Sequence, residues 1–460
     1  MNRNMIDYLR SYGQYTFAEK EFNSVDSLIL SQFAYLKFDG LVPDAQENKA
    51  AVSMLDILVH PDRNSLFRDE RYEKVNRSLF EAMVFSKRFQ NMKINHHAIR
   101  TDVETETQFC AVTFYPENGP AFVAYRGTDE TLVGWKEDLN MTFLCPVPGQ
   151  RYAVEYLDAI GKHLEQPFIV GGHSKGGNLA VYASLKCEKE VQKKILTIYN
   201  NDGPGFRKEV FEDGEYEKLS ERIVKTVPQF SFFGMLLQDE KECIVIKSSG
   251  VGGIGQHDPY TWEIENGAFI ELEGLNKSQK KINDSLNNWV ANLSEEELKT
   301  FATTLFDVIG ATEADTVTEL TEEWKENRTK MVNAVKDVDS ETKKQILDII
   351  SILFLRSRFP RLGLRHHEIG EVEAEAQRKM SADKKGKSLK GEEQEGLELT
   401  ETLKEMAEAV HFSDLKEAAK KSKAFLTIRN SKAVKKGMSV VKAKKSKEEK
   451  ERSINGKTTT

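Results

Sequence analysis

The sequence predicts an α/β protein with a mostly parallel sheet flanked by helices, followed by a helical C-terminal appendage and a disordered tail. Three observations carry that prediction. Short β-branched and aromatic runs alternate with helix-period segments between about residues 106 and 275. Glycine-rich junctions sit where several of those runs end. Beyond about 275 the strand-like runs stop and helical spacing takes over.

Residues 1 to about 100 read as mostly helical. "SVDSLILSQFAYLKF" has Asp26 near its start and an apolar side of Leu28, Leu30, Phe33, Leu36 and Phe38. "TQFCAVTFYP" and "AFVAYRG", separated by the turn signal "ENGP", read as paired strands. A helix ("QRYAVEYLDAIGKHL"), a strand ("PFIVGG"), a helix ("GNLAVYASLKCEK") and a strand ("KKILTIYNND") follow. "KEVFEDGEYEKLS" reads as a further helix before the strands "RIVKTV" and "ECIVIKSS". "LSEEELKTFATTLFDVIG" opens on a capping box, Ser294 to Glu297, and closes at Gly310. The expected units are residues 1–275 for the α/β domain with its helical N-terminal segment, 276–365 for the appendage and 366–460 for the tail.

Bulk properties narrow the class. The chain has 460 residues, 39% hydrophobic and 30% charged, with a formal charge of −7. From Ser413 onward it carries fifteen Lys and Arg against five Asp and Glu, a tail of +10 on a body of −17. The Glu-, Lys-, Ala- and Ser-dominated tail lacks the apolar content to offset chain entropy. Cys110, Cys145, Cys187 and Cys243 are far apart with no metal-type spacing, which suits reduced thiols. The longest apolar run, "ILDIISILFL" from Ile346, is ten residues and contains Asp348, against the roughly 20 that a membrane span needs. A cytoplasmic location is the expectation.

The chemistry concentrates around one serine. Gly172-His173-Ser174-Lys175-Gly176 fits G-x-S-x-G, follows a buried-strand pattern and opens a helix pattern. Glycines there let strand and helix approach closely around a strained serine, and the helix N-terminus offers free N–H groups to an oxyanion. Such an elbow needs an acid and a histidine downstream. His257, in "GGIGQHDPYTW", follows a late strand and is the candidate base. Asp202, at the end of "ILTIYNND", is favoured as the acid because a strand end fixes it; Asp239, in the loop before "ECIVIKSS", is the alternative. Lys175 N–H and Thr128, after the strand ending in Arg126-Gly127, are the candidate oxyanion donors. The His173 side chain is expected to point away from the serine. His96-His97 and His366-His367 lack ligand spacing, so neither a metal nor a cofactor is expected. "PQFSFFGMLL" reads either as an acyl-binding wall or as core packing.

The combination "YRGT…W…DL", "GGHSKGGNLA" and a late histidine resembles the class 3 lipases, a branch of the α/β hydrolases. "NNDGPGF", "FGMLL" and "QHDPYTW" resemble an uncharacterised bacterial lipase-like family of that fold, over roughly residues 20–365. The resemblance implies an α/β-hydrolase-type sheet, Ser174 as nucleophile, His257 as base and an oxyanion donor at Thr128. The aspartate that those lipases carry ahead of a Val-Pro pair has no counterpart before Val227-Pro228, and Lys175 stands where Leu is common. The activity implied is serine-dependent cleavage of a small acyl ester or lipid. The competing expectation is a non-catalytic hydrolase-fold module whose basic tail contacts an anionic membrane or nucleic acid. A third, dinucleotide binding by Gly250-Val251-Gly252-Gly253-Ile254-Gly255, fails for want of a completed βαβ unit.

Overall fold

The computed structural model describes residues 3–68, 72–238, 242–250, 252–316, 319–320 and 324–334. Asp239, the helical pattern between residues 335 and 365, and the tail at 366–460 lie outside them.

One eight-stranded sheet organises the chain, its strands in sequence order. They are β1 (Val52–Ser53), β2 (Lys93–Asp102), β3 (Thr107–Tyr115), β4 (Ala121–Tyr125), β5 (Phe168–His173), β6 (Ile195–Asn201), β7 (Ile223–Pro228) and β8 (Ile244–Ile246). β1 to β4 pair antiparallel and β4 to β8 pair parallel. A small hairpin of β9 (Ile264–Glu265) and β10 (Ala268–Phe269) follows.

Helices cover both faces, which is why the central strands read as continuous apolar runs. On β4, Phe122 and Ala124 face α1 (Met5–Tyr12), α2 (Ser24–Phe33) and α4 (Glu73–Val84), while α3 (Met54–Val59) lies beside β1. Its alternate residues, Val123 and Tyr125, face the other way. There they meet α6 (Pro148–His163) and α7 (Lys175–Lys186). Asn23 caps α2 and Asp26 completes its capping box, so the aspartate noted near that helix start is its third residue. Asp26 also takes the Arg88 guanidinium at 2.7 Å, both side chains sealed from water. Arg88 further donates to the carbonyls of Tyr15, Thr16, Lys20 and Glu21, so one side chain ties the N-terminal loops to the sheet-covering helices.

Two expectations are corrected. Residues 93–102 form a strand at the end of the region, to about residue 100, that reads as mostly helical; a bulge between Asn95 and Ala98 breaks the period-2 pattern that would have shown it. "KEVFEDGEYEKLS" is not one helix. Gly214, at φ +69°, separates a 3₁₀ turn (Lys208–Val210) from the short α9 (Glu215–Leu219).

The remaining helices are α5 (Leu132–Asn140), α8 (Lys189–Gln192), α10 (Gly252–His257), α11 (Lys277–Ala291), α12 (Glu295–Gly310) and α13 (Trp324–Ala334). Ser294 and Glu297 form the anticipated capping box of α12. Leu298, Phe301, Leu305 and Val308 of α12 pack with Leu132 and Phe143, bringing these late helices against α5 beside the sheet. Leu132 N–H donates to Asp315 O at 3.0 Å along the same seam.

Candidate active site

Ser174 sits between β5 and α7 with φ +58° and ψ −135°, a backbone region that residues other than glycine rarely occupy. A Cβ on Gly172 would lie 2.3 Å from the Gly176 carbonyl, and one on Gly176 would lie 2.1 Å from Tyr125 O. The crowding comes from backbone on both sides, so these two positions admit no side chain. The glycines around the serine serve close approach rather than flexibility. Gly177 N–H closes onto Ser174 O at 2.9 Å. That leaves the Lys175 and Gly176 N–H groups at the first turn of α7, where a helix has no internal acceptor for them.

Asp202 follows the last residue of the adjacent strand β6. It is fully buried, and it too has positive φ, +54°. Its N–H bonds Thr226 O on β7 at 2.8 Å, and Lys225 Nζ bonds Gly203 O from behind. Burial drives the Lys225 ammonium down to about 8. The carboxylate so fixed has two partners. Oδ1 accepts from Ser231 Oγ at 2.5 Å, and Oδ2 meets His257 Nδ1 at 2.6 Å. With Nδ1–H donating to the carboxylate, Nε2 is the basic nitrogen of the neutral imidazole.

His257 ends α10 rather than lying in an open loop. Its ring is flanked by His173 at 4.6 Å and Phe233 at 4.7 Å. His173 Nε2–H donates to the His257 carbonyl at 2.9 Å, and the Tyr35 hydroxyl lies 3.4 Å from His173 Nδ1. Burial, then the neighbouring His257, hold His173 well below the ordinary histidine range, so it stays neutral. The residue before the serine thus supports the histidine. Ser174 N–H bonds Asn201 O, the residue before Asp202, at 2.9 Å, so the serine at the end of β5 lies beside the strand end that holds the His257 partner; among the described residues, Ser174 Oγ has no hydrogen bond of its own.

Lys175 turns its side chain away from the serine. Only 1% exposed, Nζ bonds Gln108 O at 2.8 Å, Gln108 Oε1 at 2.9 Å and Glu137 Oε2 at 2.9 Å, which uses all three of its protons. Glu137, itself fully buried, also accepts from Gly149 N–H and Gln108 N–H. The elbow is therefore bolted to β3, α5 and the start of α6 while the Lys175 N–H remains at the helix N-terminus. Thr128 Oγ1 donates to Asp138 Oδ2 at 2.6 Å, so its hydroxyl proton is committed and its N–H is the group left for an oxyanion. Burial pushes the Asp138 carboxyl up to about 6, against the opposing pull of Lys175 and Thr128.

"PQFSFFGMLL" divides its work. Met235 packs with Val227, Val245 and Leu275, while Phe233 lies between His257 and Trp135, 5.9 Å from the latter. His96 and His97 are on β2, with His97 Nε2 3.7 Å from Cys110 Sγ. Among the described residues no group of three His, Cys, Asp or Glu could hold a metal, and no helix is long and apolar enough to cross a membrane. Ser231, Asp138, Glu137 and Tyr35 were not anticipated. Glu137 and Asp138 stand inside "WKEDL", close after the Arg-Gly-Thr turn, and Ser231 is the polar interruption of an aromatic run.

A sheet of this order with a serine at its strand-to-helix turn is the arrangement of the α/β hydrolases. The comparison of the chain with protein families agrees at that level. Residues 83–307, from the end of α4 into α12, match the family model described as Mbeg1-like, a lipase-like family of the α/β-hydrolase type. No curated protein and no solved structure matches significantly.

Proposed function

We propose that the chain is a serine hydrolase of carboxylic esters, with Ser174 as nucleophile, His257 as general base and Asp202 as the acid behind it. The observation that carries the reading is the 2.6 Å Asp202–His257 bond beside a serine held at φ +58°. In the first half-reaction Ser174 Oγ attacks the ester carbonyl carbon while His257 Nε2 takes its proton. Lys175 N–H and Thr128 N–H receive the negative charge on the carbonyl oxygen. The tetrahedral adduct then breaks its bond to the alcohol, which leaves with the proton from His257. Water attacks the acyl-serine with His257 again as base; the bond from the acyl carbon to Ser174 Oγ then breaks as His257 returns the proton to Oγ, and the carboxylic acid departs. Asp202 keeps Nδ1 protonated and stabilises the imidazolium. This chemistry needs neither metal nor organic cofactor. The aromatic ring of Phe233 next to the base, with Trp135 against its other side, favours an acyl chain over a peptide.

The test is a panel of p-nitrophenyl esters of increasing acyl length, with Ser174→Ala as control. Ser174-dependent release is expected. Equal release by both proteins on every ester refutes the assignment.

A further inference from the structure

The loop after β7 satisfies part of its own backbone, Ser231 N–H on Pro228 O and Leu236 N–H on Phe233 O, and Gly205 N–H donates to Leu236 O; α11 supplies partners for the rest. Gln279 and Asn283, one turn apart, both donate to Ser231 O at 3.1 Å, and Gln279 also bonds Asn283 at 2.8 Å. Asn287, the next turn on, donates to Met235 O at 2.8 Å and accepts from Leu237 N–H at 2.9 Å. Gln279 and Asn283 are 6% and 3% exposed. Three amides spaced four residues apart on a surface helix would ordinarily face water; here they form a ladder along one loop.

That loop touches the site at two points. Ser231, fully buried, donates Oγ–H to Asp202 Oδ1, and Phe233 packs on the His257 ring. A carboxylate with one oxygen toward the histidine and the other uncommitted could rotate about its terminal torsion, which is broad. The Ser231 hydroxyl fixes that rotation, and the amides of α11 fix Ser231.

We propose that Ser231 is a positioning residue for the Asp202 carboxylate, held by Gln279 and Asn283, so that α11 governs how well the acid can align His257. The inference rests on the hydrolase reading above. α11 then acts on the reaction through the Ser231 carbonyl and the Asp202 carboxylate.

The experiment is a double-mutant cycle on the rate at which a fluorophosphonate probe labels Ser174. Ser231→Ala is expected to slow labelling at least tenfold when Asp202 is present, and less than twofold in the Asp202→Ala background. A role in general folding would cost the same in both. Asn283→Ala, which removes one of two donors to the Ser231 carbonyl, is read in the same cycle and is expected to give a smaller loss, about threefold, with the same dependence on Asp202. Equal losses in the two backgrounds, or no loss with Asp202 present, overturn the inference while leaving the hydrolase reading intact. Wild-type protein that is folded yet unlabelled overturns both.

Discussion

Replacing Lys175 by leucine tests how the elbow is anchored. The Nζ–Oε2 distance to Glu137 is 2.9 Å, and both side chains are essentially sealed from water, 1% and 0% exposed. At an effective dielectric of about 20 the direct attraction is about 6 kcal/mol. Much of that offsets the desolvation of the ammonium, and what matters in the variant is the Glu137 charge left behind. Its remaining donors are Gly149 N–H at 2.7 Å and Gln108 N–H at 2.9 Å. Both carry only partial charge. Breaking a buried pair from one side typically costs about 3–5 kcal/mol, and Lys175→Leu is expected to lose that much in urea unfolding followed by tryptophan fluorescence. Adding Glu137→Gln removes the stranded charge and should recover at least about 2 kcal/mol. A single variant within about 1 kcal/mol of wild type, or a double variant no better than the single, would refute the account of Lys175.

Arg88→Met leaves the buried Asp26 carboxyl with only the Tyr8 hydroxyl and the Asn23 N–H, and takes one donor from each of four carbonyls, so it should destabilise by about 3–5 kcal/mol in the same urea assay. Asp138 has its folded pKa raised from 3.8 to about 6, so between those values the folded state holds a proton that the unfolded state has released. Its contribution is therefore full below pH 3.8 and lost as pH rises through 6. The stability of Asp138→Asn relative to wild type should accordingly improve by about 3 kcal/mol between pH 3.5 and pH 8, and a constant difference across that range contradicts it. His173 has the opposite linkage: depressed when folded, it favours the folded state above its unfolded pKa of about 6.5 and withdraws that support as pH falls below it. His173→Asn should flatten that acid-side decline in unfolding free energy, and an unchanged slope between pH 7 and 5 counts against the assignment. Asp202→Asn should slow probe labelling by about 10³–10⁴-fold, the loss expected when the imidazole takes the wrong tautomer.

Local patterns were the legible part of this chain. The α/β alternation, the α12 capping box at Ser294 and the serine elbow each depend on residues close in sequence, where period and turn chemistry act directly. Asp202 could be favoured over Asp239 because a strand end constrains a side chain. Lys175 could not be understood that way, since its partners lie 38 and 67 positions earlier and meet it only once α5 and β3 pack. The amides of α11 look like a solvated face until the loop from Ser231 to Leu237 lies against them. β2 was hidden because a bulge at two histidines interrupts its alternation. Gly214 was the readable sign that residues 208–219 are two short pieces, overridden by the apolar and acidic helix pattern around it.

The proposed chemistry requires Ser174 to be a nucleophile served by His257. The most direct measurement is mass spectrometry of the full-length protein after a fluorophosphonate, with the adduct mapped to its peptide. One adduct is expected, on Ser174, formed rapidly in wild type, absent in Ser174→Ala and slowed at least a thousandfold in His257→Ala. Folded wild-type protein that carries no adduct, or carries it equally on other serines, contradicts it.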